Sequence, residues 1–108
     1  MTNRIILTSG DFLRDFLEEL NISSYRLAKE TNISQPQIKK ILEGKNRITA
    51  DTALRFSKFF DTTVEYWLNL QQICDIEKAE EDFKEKHITI KKYTSFLDEN
   101  NLTTNLAY

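Results

Sequence analysis

Between Gln35 and Arg47 the chain gathers side chains suited to meeting a nucleic acid: Gln35, Gln37, Lys39 and Lys40, then Lys45, Asn46 and Arg47 directly after Gly44. A glutamine can pair bidentately with adenine, and a lysine can reach a guanine acceptor or a phosphate. A glycine followed by Lys-Asn-Arg offers phosphate contacts that fix a docking register. Other chemistry is missing from the sequence. His87 is the only histidine and stands next to a lysine, where a solvated side chain is the simpler reading. No Cys/His spacing suits zinc. Gly10 and Gly44 are isolated and form no phosphate-cradling loop. Glu80, Glu81 and Asp82 are consecutive, so a helix points them apart and they make no paired acid–base site. Cys74 reads as a small core residue. No enzymatic activity, metal or cofactor is expected.

The elements that would position the polar group are two short helices. Ser23 can cap the first, and Leu27 and Ala28 turn inward. Thr31-Asn32-Ile33 breaks the pattern, with Asn32 able to take the positive φ such a turn needs. Ser34 opens the second helix, Gln37 completes a capping-box pattern, and Pro36 sits where a missing N–H costs nothing. Ile38, Ile41 and Leu42 form the apolar stripe, leaving Gln35, Gln37, Lys39, Lys40 and Glu43 outside it. This is a helix-turn-helix pattern with an amide-rich and basic outer face. The plainer alternative is a helical hairpin whose polar face is merely solvated.

The totals agree with a small helical protein. The chain has 108 residues, of which 40% are hydrophobic and 30% charged, enough for one core but not two. Only 2 Gly and 1 Pro leave little room for turn-rich β architecture. No apolar run is long enough for a membrane, and the opening residues show no basic-then-apolar leader. The single cysteine fits a reducing cytoplasm. A net charge of −2 argues weakly against a nucleic-acid partner, but its distribution matters more. Residues 24–58 carry eight Lys/Arg against three Asp/Glu, whereas residues 75–108 carry five against eight.

Three further helices are expected. The first runs from about Gly10 to Leu20 on Phe12, Leu13, Phe16, Leu17 and Leu20, after a short apolar stretch from Arg4 to Leu7. A fourth follows Thr49 and ends near Phe60, beyond the buried plug Ile48. A fifth opens on a capping box of Thr62 with Glu65 and carries Val64, Trp67, Leu68, Ile73, Ile76, Ala79 and Phe83 as far as Lys86. Beyond it, His87 to Ile90 alternates like a brief strand. The rival, preferred because a lone strand has no partner, is a helix after Thr89 with Ile90, Tyr93, Phe96 and Leu97 on one face. That helix could serve a dimer or partner contact, or simply patch the domain's own core. Asn100 to Tyr108 reads as frayed.

Residues from about Gly10 to Gln71 resemble the HigA-type antitoxins of the XRE, lambda-repressor-like helix-turn-helix class. The resemblance rests on Arg47-Ile48-Thr49-Ala50-Asp51-Thr52-Ala53-Leu54-Arg55, on Trp67-Leu68-Asn69-Leu70-Gln71, and on Tyr25-Arg26-Leu27-Ala28-Lys29. Thr8-Ser9 stands where that family usually has His-Pro, and Val64 where it usually has Pro. The resemblance implies an all-α fold: a five-helix lambda-repressor-like DNA-binding domain over residues 1–74, with a C-terminal helical extension over 75–108. The motif helices would be second and third. Gln35, Gln37, Lys39 and Lys40 would then face the major groove, Gln35 foremost, while Ser24, Lys45, Asn46 and Arg47 hold phosphates. Implied partners are double-stranded operator DNA, bound as a homodimer on half-sites about one turn apart, and a HigB-type toxin, a ribosome-dependent ribonuclease. The implied role is an autorepressing antitoxin. Rivals are a stand-alone phage or chromosomal repressor and a protein-binding module that no longer reads DNA.

Overall fold

The computed structural model describes residues 6–94. It contains α1 (Ser9–Leu20), α2 (Ser24–Thr31), α3 (Gln35–Leu42), α4 (Ala50–Phe60) and α5 (Val64–Glu85), and no strand among the described residues. Each helix starts on a hydroxyl. Thr8, Ser23, Ser34, Thr49 and Thr63 accept from the N–H groups of Asp11, Arg26, Gln37, Thr52 and Tyr66. Each such cap contributes about 1 kcal/mol. Helices α1, α2 and α4 end on left-handed residues: Asn21 at φ 57°, Asn32 at φ 60° and Asp61 at φ 58°. Asn and Asp tolerate that region through local hydrogen bonding of their side chains. After α3 the same turn falls to Gly44, at φ 77°.

Leu13 and Leu17 of α1, Leu27 of α2, Ile38 and Ile41 of α3, Ile48, and Ala53 and Phe56 of α4 close around Trp67 of α5. The indole meets Phe16 and Phe56 edge to face at 5.5 and 5.1 Å between centroids. Such pairs add about 0.5–1.5 kcal/mol to their burial. Its Nε1–H donates to the Thr62 hydroxyl at 2.8 Å, so the buried ring leaves no unpaired donor.

Several expectations are corrected here. Thr62 does not cap α5. Thr63 does, and Thr62 serves Trp67 instead. α1 begins one residue early, at Ser9, because Thr8 and Asp11 form a reciprocal capping box. The apolar residues of α5 divide. Trp67, Gln71 and Cys74 face the core, while Ile73, Ile76 and Phe83 are 64%, 50% and 41% exposed. As expected for a fifth helix reaching about Lys86, α5 runs on past residue 74 to Glu85. Residues 88–94 form neither the strand nor the start of the helix expected after Thr89. Ile88, Ile90 and Tyr93 are exposed there, and a short helix without a buried face does not offset its nucleation cost. Phe96, Leu97 and the 100–108 stretch lie outside the described residues, as does part of the Arg4–Leu7 segment.

α1 and α3 meet at closest range over Gly10. A Cβ there would lie 2.0 Å from the Ile41 carbonyl oxygen and 2.8 Å from that of Leu42. Backbone cannot yield as a flexible side chain does. Gly10→Ala should therefore lower stability by about 1–3 kcal/mol or more, the range for overpacking, read as a drop in urea midpoint. An unchanged midpoint would contradict the contact.

Candidate nucleic-acid interface

α3 is an eight-residue helix with Ile38 and Ile41 each 1% exposed. Helical geometry then places Pro36, Lys39, Lys40 and Glu43 along the crest of its outer face, with Gln35 and Gln37 on opposite flanks. All six are exposed. Among the described residues, neither Lys39 nor Lys40 has an acidic partner within ion-pair reach. Ser24, Gln35, Pro36, Lys39 and Leu42 line one open groove of about 940 Å³ between the start of α2 and α3. The structure thus brings Ser24, Gln35 and Lys39 together. Gln37 and Lys40 lie outside that groove.

The loop after α3 carries the other candidates. The Lys45 and Asn46 N–H groups both donate to the Lys40 carbonyl, at 2.8 and 3.2 Å, which folds the loop back on α3. Lys45 Nζ lies 3.3 Å from Glu43 and its side chain is 70% exposed. Asn46 is exposed. Arg47 is placed differently. Its Nε donates to Asp75 Oδ2 at 3.0 Å, and its Nη2 donates to the same oxygen. With Asn46, it lines a second cavity beside Thr8, Gly44, Gln71 and Asp75, away from the groove that holds Gln35.

Four supporting residues were not singled out by sequence reasoning. Arg14 of α1 donates to the Leu42 carbonyl at 2.7 Å, closing the C-terminal end of α3. Arg55 of α4 donates to the Thr31 and Asn32 carbonyls at 3.1 and 2.9 Å, closing that of α2, while Asp51 holds its Nε at 2.9 Å. Gln71, 5% exposed, accepts from the Ile48 N–H at 2.8 Å and donates to Asp75 Oδ1 at 2.9 Å. Arg55 and Gln71 fall inside the runs that carry the family resemblance, which was the available signal. Arg14 and Asp75 had none, because their partners lie 28 residues away in each case.

The hydrogen bond from Arg47 holds the Asp75 carboxyl below the ordinary carboxylate range, against partial burial and with help from Gln71. Burial, then the charge of Asp75, push the Cys74 thiol up, which disfavours a reactive thiolate. Among the described residues, no cluster of His, Cys, Asp and Glu could hold a metal, and no helix is long and apolar enough to cross a membrane.

Because folding lowers the Asp75 pKa, its stabilisation is complete above the unfolded value, about 4. It is lost as pH falls through the lower folded value. Asp75→Asn should be less stable than wild type at neutral pH, and the gap should close on acidification. Urea titrations across that range check it, and a gap that widens in acid would refute it.

The helix-turn-helix family profile matches residues 13–67. Virulence-associated protein I of Dichelobacter nodosus is 37% identical over 82 residues, spanning 75% of this chain and 76% of that protein. The structure of an addiction module antidote protein of a HigA family from Coxiella burnetii superposes with a TM-score of 0.76 at 39% identity, covering 83% of this chain and all of the other. Pseudomonas aeruginosa antitoxin HigA, solved with the higBA promoter, superposes at 0.74 with 29% identity over 83% of this chain and 100% of that one. With the five helices, the two-helix motif and the matched length in agreement, the chain belongs to the helix-turn-helix family, among the HigA-like proteins.

Proposed function

We propose that this protein is an antitoxin that binds operator DNA as a homodimer, represses its own operon and neutralises a HigB-type ribonuclease toxin in the cytoplasm. The observation that carries the DNA half is the Lys39–Lys40 crest of α3, flanked by Gln35 and Gln37 and joined at its groove by Ser24. Neither lysine is committed to an ion pair among the described residues, and Glu43 on the same crest is engaged by Lys45. Gln35 at the start of the helix is suited to a base edge, since recognition helices present their N-terminal residues to the groove floor. Lys39 and Lys40 reach guanine or phosphate. Ser24, Lys45 and Asn46 hold the backbone on either side. The similarity to an antitoxin solved with its promoter supports the same reading. One domain this small makes few base contacts, so two copies on a palindrome are needed for a useful specificity ratio.

The toxin half rests on the HigA-like relatives and on the far end of α5, where Ile73, Ile76 and Phe83 stand exposed among acidic residues. A basic ribonuclease suits such a surface better than DNA does. A stand-alone repressor remains the rival within the same DNA-binding class. A small toxin-like reading frame beside the gene, toxic alone and silent when co-expressed with this protein, separates the two.

Two measurements test the DNA half. Gln35→Ala should cost about 1–3 kcal/mol at the operator and relax the choice of one base. Lys45→Ala should weaken every duplex alike and flatten the dependence of log K on log salt by about 0.9. If neutralising Lys39, Lys40 and Lys45 together leaves binding to the upstream DNA unchanged, the groove assignment is wrong.

A further inference from the structure

We propose that Gln71 and Asp75 of α5 are positioning residues for DNA binding, and that Arg47 is their strut rather than a phosphate ligand. The inference rests on the DNA reading above. It adds residues on a helix that lies behind the motif and lines none of the α2–α3 groove.

The segment Lys45-Asn46-Arg47 is exposed between two fixed ends. At its start, the Lys45 and Asn46 N–H groups are tied to the Lys40 carbonyl. At its end, Ile48 is 1% exposed and its N–H is bonded to Gln71 Oε1 at 2.8 Å. That bond fixes which way the Gln71 amide faces. Its nitrogen then has one acceptor, Asp75 Oδ1 at 2.9 Å, and the other oxygen of Asp75 takes both the Nε and Nη2 of Arg47. The chain of bonds runs from the Ile48 backbone through two α5 side chains and returns one residue earlier in the loop. It closes a ring around the 47–48 peptide, so the direction in which Asn46 and Lys45 leave the protein is set by α5.

The same ring makes Arg47 a poor anion site. Its Nε and Nη2 are both engaged by one carboxylate oxygen, so the pair carries no net charge. A phosphate would have to displace Asp75 or approach beside it. Lys45 by contrast has one contact, with Glu43 at 3.3 Å, where Arg47 makes two bonds to a carboxylate that Gln71 also holds, so at similar exposure Lys45 is the freer of the two to swing to a phosphate.

The test measures binding of the full chain to a duplex covering the DNA immediately upstream of its own coding sequence. Wild type is compared with Asp75→Asn, Arg47→Gln and the double variant, each confirmed folded by circular dichroism. Asp75→Asn should weaken binding by roughly three- to thirtyfold, for the operator and an unrelated duplex alike. Arg47→Gln should match it without changing the salt slope, and the double variant should be no weaker than either single one, as for one mechanical unit. A phosphate-binding Arg47 predicts the reverse: a slope lowered by about 0.9 in Arg47→Gln, and unchanged or tighter binding once Asp75→Asn frees the guanidinium. Either result overturns the strut while leaving the DNA reading intact. If wild type itself ignores the duplex while the Lys39 and Lys40 crest proves irrelevant, both fall together.

Discussion

An eight-residue helix has no stability of its own in water, and everything proposed for this protein depends on α3 being held rigid. The fold supplies that rigidity from three sides. Ile38 and Ile41 are buried in the core, so the outer face cannot roll. Ser34 satisfies the first turn and Arg14 reaches across from α1 to the last. The Gly10 contact then lets α1 lie directly against the backbone of Ile41 and Leu42, with no side chain between. Backbone-to-backbone packing of this kind fixes distance more strictly than side-chain packing, because neither surface has rotamers to adjust. The solvent-facing lysines and glutamines thus project from a frame whose position is set by atoms that cannot yield.

The same logic recurs around the motif. Arg55 treats the end of α2 as Arg14 treats the end of α3. In both cases a guanidinium from a flanking helix is placed on carbonyls left without helical partners, where the helix dipole also favours positive charge. The two motif helices are therefore clasped from outside by α1 and α4. The loop beyond is clasped by α5 through Gln71 and Asp75. Each motif element thus adds a contact from a flanking helix to its own caps and turn residues.

What the sequence made legible follows from this division. Local features could be read: the hydroxyl caps of α2, α3 and α4, Asn32 as the left-handed turn residue, the Ile38–Ile41 stripe, and the plug at Ile48 all depend on neighbours within a few positions. Thr62 and Thr63 could not be told apart, because adjacent threonines offer the same hydroxyl and only the distant indole decides which one caps. The apolar periodicity of α5 was real, yet it did not reveal that Ile73, Ile76 and Phe83 lie on the side away from the core. Arg47 stands in a basic tripeptide in the sequence, and its engagement with Asp75 appears only when α5 folds back across the loop. Long-range polar pairs have no periodicity to betray them.

Charge completes the picture. A chain of net charge −2 and pI near 5.4 is repelled on average by DNA. Binding therefore depends on segregation. Lys39, Lys40 and Lys45 stand on the motif side, while the far half of α5 is dominated by Glu77, Glu80, Glu81, Asp82 and Glu85. At physiological salt, charges separated by more than about 8 Å are largely screened from one another. The helix of 22 residues is about 33 Å long, and its acidic residues are concentrated in the half that follows Asp75. The lysines accordingly form a local cationic patch, and on the proposed reading the acidic end penalises approaches to a duplex other than the one that presents α3. Pairing Arg47 with Asp75 sharpens that contrast: it neutralises one positive charge at the edge of the patch and one negative charge at the start of the acidic region, leaving Lys39 and Lys40 as cations without an ion-pair partner among the described residues.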